Sequence, residues 1–197
     1  MDVLADDDVE SALVVVAHPD DADFWAGGTV ACWSAAGIVV TYLVLTDGDA
    51  GGFDSAVPRA DIPRIRRSEQ QVAARILGVR DIRFLGLTAG TIVQGIELRR
   101  QIVRVIRQVR PRRLLTWSPG WNWSRFRTSC HIDHRATGEV ALTAAYPRRW
   151  SRGPTRRPSR GSIPRRTQQV RTAIRRRMAI RRDGRVRWCC GGAGTDR

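Results

Sequence analysis

Histidine occurs three times in the 197 residues, and each one stands in a short motif that also carries aspartate. His18 lies in AHPDDAD (residues 17–23), and His131 and His134 lie in HIDH (residues 131–134). Imidazole and carboxylate together form the donor set of a mononuclear metal site assembled from two loops. A catalytic zinc takes three protein ligands and leaves one position for water. His18, Asp21 and His134 are the natural trio, since His18 and Asp21 share one turn and His134 enters from the second motif. The ion would bring the pKa of water from near 16 to about 7 and polarise a carbonyl. Asp20 stands beside the ligands and is the candidate general base. His131, as an imidazolium, would stabilise an oxyanion and protonate a departing nitrogen. Asp133 would orient His131 and hold it charged. Ligand type favours Zn2+, with Fe2+ or another divalent ion open. Plainer roles stand beside these: Asp133 as cap of a helix starting at His134, and Asp20 as cap of a turn.

These groups need a scaffold that brings residue 18 to residue 134. Residues 13–17 (LVVVA) form a continuous apolar run, as in a strand buried on both faces of a parallel sheet. Residues 38–45, 82–85 and 113–117 read as further strands. Helical patterns fill residues 24–36, 59–77, 97–109 and 134–145, with Gly37 and Gly78 placed to stop the first two. Four strands alternating with helices predict an α/β fold with a Rossmann-like, doubly wound, mostly parallel sheet. Such sheets bind ligands beyond the carboxyl ends of their strands. His18 follows the first strand, Asp47 and Asp49 the second, and residues 121–134 the fourth, so both motifs belong to one edge. No GxGxxG follows the first strand, so dinucleotide binding has no support.

The formal charge of +15 is unevenly placed. Residues 1–147 carry 17 Arg against 17 acidic residues, and residues 148–197 carry 17 Arg against two Asp. The expected organisation is a domain over residues 1–147 and an Arg-rich tail over 148–197. That tail reads either as a disordered basic segment or as the product of a changed reading frame near Pro147. GC-rich DNA read out of register tends to encode Arg, Gly, Pro, Trp and Cys. Residues 168–180 are its one helix candidate, without a strong apolar stripe. The tail's charge predicts salt-dependent, non-specific adherence to nucleic acid; without a recognisable motif, specific recognition is not expected. The acidic start is unlike a secretory signal, and no apolar run reaches the roughly 18 residues of a membrane span. Four cysteines without zinc-ribbon spacing read as reduced thiols, so a cytoplasmic location is expected. Oligomeric state is not encoded legibly.

AHPDDAD with GGT (residues 27–29), LTDGDAGG (45–52), RRSEQQVAARILGV (66–79), FLGL (84–87) and HIDHRATGEVAL (131–142) resemble the PIG-L/LmbE-like zinc-dependent de-N-acetylases. The likeness runs in order from about residue 12 to Pro147, and the paired AHPDD and HxDH motifs are specific together. It implies hydrolysis of the N-acetyl group of an N-acetylglucosamine conjugate, linked to inositol, a lipid or a thiol-bearing partner. It also implies His18, Asp21 and His134 as metal ligands, Asp20 as base, and His131 backed by Asp133 at the transition state. Arg66, three residues before Glu69, is implied to contact substrate. The chain departs from the family at Asp23 (usually Glu) and Ile132 (usually Pro). Family members continue with further strands and helices, so this chain is expected to lack their C-terminal part. The alternative expectation is a truncated or frame-altered, inactive relative with an adherent basic tail.

Overall fold

The computed structural model describes residues 9–52, 54–121 and 131–146, and the backbone of residues 169–172. The elements run β1 (Ser11–Val16), α1 (Asp21–Ala35), β2 (Val39–Thr46), α2 (Ile62–Ile76), β3 (Asp81–Leu87), α3 (Ile96–Val109), β4 (Arg113–Thr116), α4 (Ile132–Ala145) and β5 (Gln169–Thr172). A 3-10 turn (Arg59–Asp61) leads into α2. The strands form one parallel sheet in the order β3-β2-β1-β4-β5. Reversal of strand order on either side of β1 is the doubly wound pattern, and β1 sits at the switch point.

Alternation along β1 explains the layers. Ala12, Val14 and Val16 pack with Val30 and Trp33 of α1 and Ala74 of α2. Leu13, Val15 and Ala17 pack with Leu98, Ile102 and Val105 of α3 and Val140 and Ala141 of α4. Both sheet faces are therefore covered, and β1, pairing Val14 with Tyr42 on one side and Leu115 on the other, is buried. This burial accounts for the unbroken apolar run, which an edge or one-sided strand would not tolerate.

Two of the helix starts differ from the sequence expectation in ways that matter to the site. α1 begins at Asp21 rather than residue 24, because Asp20 adopts a left-handed φ of 96° that turns the chain straight from strand into helix. α4 begins at Ile132, with His131 at the N-cap accepting the Asp133 N–H, so Asp133 lies inside the first turn and is not the cap. In the tail, residues 169–172 are a strand on the edge of β4, which corrects the helix considered for 168–180 at those positions. The other tail residues lie outside the described set. Among the described residues no helix is long and apolar enough to cross a membrane.

Candidate metal centre

The turn between β1 and α1 is built around one carboxylate. Asp21 Oδ2 accepts the backbone N–H groups of Ala17 (3.1 Å) and His18 (2.9 Å). It also accepts the indole N–H of Trp117 at 3.2 Å, from the residue just past β4. Asp21 is only 5% exposed. Burial alone would raise its pKa. The neighbouring His134 and His18 more than offset this and hold the carboxyl far below its ordinary value. Asp21 is therefore ionised, the form a metal requires.

His134 comes from the first turn of α4, over a hundred residues away in sequence. Its ring lies parallel to the Trp117 indole, at 4.0 Å between centroids and 4° between planes. Gly138, one turn further along α4, makes this approach possible: a Cβ there would run into the Trp117 backbone carbonyl. His134 Nε2 lies 3.2 Å from Asp21 Oδ1 and 3.3 Å from His18 Nδ1. His18 Nδ1 lies 3.6 Å from Asp21 Oδ2. Donors at zinc distances of ~2.0–2.1 Å, set at tetrahedral angles, are ~3.3–3.4 Å apart. The three side chains fit one small divalent ion, and each offers a ligand atom within 4.8 Å of the others.

Asp133 makes a contact the sequence did not suggest. Its carboxylate Oδ2 accepts from His18 Nε2 at 2.8 Å and from the Gly90 N–H at 2.6 Å, and Oδ1 accepts from the Ile92 N–H at 3.2 Å. Asp133 is wholly buried. Burial acts to raise its pKa, but the Gly90 N–H and His18 outweigh it and the carboxyl is held low. The pair forms a carboxylate–histidine relay that leaves His18 Nδ1 free to point at the ligand cluster. Burial likewise works against charge on His18, but the Asp21 and Asp133 carboxylates win and raise its pKa above the ordinary histidine value.

His131 is thus not oriented by the Asp133 carboxylate, as expected, but by the Asp133 backbone N–H, which donates to its Nδ1 at 3.2 Å. That bond puts the proton of the neutral ring on Nε2. Partial burial, and then the neighbouring His134 and His18, push the His131 pKa down. The ring stands within the cluster, 4.6 Å from His134 and 4.9 Å from His18 between centroids.

Asp20 lies beside the ligands, and its carboxylate is bound by Arg66 at 2.7 Å. Arg66 also donates to the Pro19 carbonyl (2.9 Å) and Glu69 (3.3 Å). Burial raises the Asp20 pKa, with Arg66 opposing. The left-handed backbone of Asp20 costs a non-glycine residue on the order of 1–3 kcal/mol, so the surrounding contacts must hold it there. Trp117 was missed as a site residue; its clue was an aromatic at the carboxyl end of a central strand. Trp121 has the Arg135 guanidinium 3.8 Å over its ring.

The family model described as PIG-L, GlcNAc-PI de-N-acetylase, matches residues 13–145. The chain belongs to the PIG-L family. The diacetylchitobiose deacetylase of Thermococcus kodakarensis is 36% identical over 137 residues, covering 70% of this chain and 49% of that protein. A crystal structure of N,N'-diacetylchitobiose deacetylase from Pyrococcus horikoshii superposes with a TM-score of 0.65 at 30% identity, covering 70% of this chain and 50% of that one. A 4-carboxy-2-hydroxymuconate hydratase from Pseudomonas putida superposes with a TM-score of 0.61 at 26% identity, covering 69% and 55%. This PIG-L member thus spans about half the length of the curated relative it matches. All three ligand candidates, and Asp20, Arg66, His131 and Asp133, fall inside the matched segment.

Proposed function

We propose that this PIG-L member is a divalent-metal-dependent hydrolase that removes an N-acetyl group from an amino-sugar conjugate, giving acetate and a free amine. The observation that carries it is the meeting of His18, Asp21 and His134 at donor spacings suited to one ion, with Asp20 adjacent. The names of the deacetylases it resembles favour an N-acetylated sugar as substrate.

His18, Asp21 and His134 would hold the ion, and two nitrogens with one carboxylate oxygen favour zinc. When bound, such an ion supplies Lewis acidity toward a carbonyl oxygen and makes water deprotonatable near neutral pH. Asp20 accepts the proton of the attacking water as the new C–O bond forms. Partial burial raises its pKa, with Arg66 opposing, so it holds the proton it takes up more firmly than an ordinary aspartate would. His131 presents its Nε2–H to the carbonyl oxygen as charge develops there, acting as a neutral donor rather than an imidazolium. The C–N bond then breaks and Asp20 returns its proton to the departing nitrogen. Arg66, fastened to Asp20 and Pro19, sets the carboxylate's direction and offers a guanidinium edge to the sugar.

Acetate release from N,N'-diacetylchitobiose and from N-acetylglucosamine conjugates by zinc-loaded protein tests the proposal. Asp20→Ala should keep its zinc and lose about 10²–10⁴-fold in rate; full activity in that variant would refute the base assignment. Hydration of an unsaturated acid without acetate release would move the chain toward the hydratase it resembles in fold.

A second reading is favoured by the charge break at residue 147: a domain over residues 1–147 joined to a foreign basic tail over 148–197, inactive and adherent to nucleic acid. A broad thermal transition indifferent to zinc supports it. A cooperative transition raised by zinc speaks against it.

A further inference from the structure

The geometry points to Gln70 as a positioning residue that locks the Asp20 backbone in its left-handed conformation. The assignment rests on the proposed role of Asp20, but the contact itself does not. Gln70 lies in α2, and its side chain is 2% exposed. Its Oε1 accepts the Asp20 N–H at 2.7 Å, and its Nε2 donates to Asp23 Oδ2 at 2.8 Å. Asp20 is one of two described non-glycine residues with positive φ. As the N-cap of α1 it makes no side-chain capping bond. Its carbonyl is committed to the helix, accepting the N–H groups of Asp23 and Phe24, both at 3.0 Å. Its own N–H has no partner inside the helix, and Gln70 supplies one from across the fold.

Only a carboxamide meets both demands. The Asp20 N–H needs an acceptor and the Asp23 carboxylate needs a donor, which fixes the amide orientation. A leucine would take this partner away from both part-buried groups. A glutamate would keep the acceptor but face Asp23 with a second carboxylate. Arg66 lies one helical turn before Gln70, on the same face of α2, and grips the Asp20 carboxylate. The two side chains clamp Asp20 at its amide and at its carboxylate. Ile62, Gln70 and Ala74 form the buried stripe of α2, so a polar residue occupies a core position there.

The test uses full-length, zinc-loaded protein and the variants Gln70→Leu, Gln70→Glu and Gln70→Glu with Asp23→Asn. Exchange of the Asp20 amide hydrogen, followed by NMR, needs no catalysis. In Gln70→Leu it should accelerate at least about tenfold, and kcat should fall by about 10–100-fold with zinc retained, the range seen for outer-shell residues. KM should move by no more than about twofold, because the lost interaction acts on the reaction and not on sugar binding. Gln70→Glu should show the same pattern, and adding Asp23→Asn should recover most of it by restoring a donor–acceptor pair. An unchanged Asp20 exchange rate in Gln70→Leu would overturn the assignment. So would a double variant no better than Gln70→Glu, a comparison that decides the matter if the leucine variant does not fold. If exchange follows the expected pattern while even the parent releases no acetate, the hydrolase proposal fails and the Gln70 assignment stands.

Discussion

The two halves of the candidate metal centre are held by different means. The turn after β1 carries a frame of its own, in which Asp21 gathers the N–H groups of Ala17 and His18, while Gln70, Arg66 and Trp117 add bonds from outside the turn. The HIDH half has a local bond from the Asp133 N–H to His131 Nδ1, which holds His131 rather than the ligand candidate His134. Its position depends on Asp133 binding Gly90, Ile92 and His18, on Gly138 fitting under the Trp117 carbonyl, and on the Trp117 ring lying flat on His134. The ligand candidates of the first half lean more on local bonds, and that of the second leans on tertiary packing. A local motif survives remote changes, whereas a delivered one is sensitive to substitutions that touch no ligand.

That contrast can be broken most strongly at the ligands themselves. His18→Ala and His134→Ala should each leave too few donors to retain zinc through dialysis, measured by metal analysis, although the residues come from opposite halves. Asp133→Asn should follow. It keeps the shape of the side chain but weakens the bond to His18, and zinc affinity should fall about 10–100-fold in chelator competition. Equal affinity in that variant would mean the relay to His18 is idle. Gly138→Ala should be smaller again. The methyl group must push α4 away from the Trp117 carbonyl, at a cost of about 1–3 kcal/mol, read as a lowered thermal midpoint together with weaker zinc binding. A midpoint loss with unchanged zinc affinity would uncouple packing from the site.

The smallest expected effect is the pH dependence of zinc stabilisation. The raised His18 pKa means that its ion pairs stabilise the metal-free fold fully below the ordinary value of 6.5 and fade as pH rises through the raised one. Zinc needs the neutral ring, so its stabilising increment runs the other way and shrinks as pH falls through the same window. Thermal scans with and without zinc between about pH 5 and pH 8 separate the two trends. An increment that grows on acidification would contradict the assignment of His18 as a ligand.

Legibility in the sequence follows the same division. The buried run at residues 13–17, the alternation of strands with helices and the sheet edge shared by both motifs were readable, because periodicity reports burial directly. That His18, Asp21 and His134 come together was readable, because the histidines and the aspartates beside them stand in two motifs at one sheet edge. The early start of α1 was not, since it turns on one strained residue, Asp20, and aspartate tolerates left-handed backbone better than most residues without requiring it. The partner of Asp133 was also hidden: HIDH suggests a local pairing with His131, while the carboxylate is taken by His18 and by a loop after β3. Gln70 and Trp117 act through contacts 50 and 96 residues apart in sequence, which no local pattern records.

Anomalous diffraction at the zinc edge from crystals of the loaded protein tests the central claim most directly. A single peak is expected within ~2.0–2.2 Å of His18 Nδ1, His134 Nε2 and a carboxylate oxygen of Asp21, with Asp20 uncoordinated. A peak that omits either imidazole would show that the two halves do not share an ion, and the hydrolytic account would be wrong.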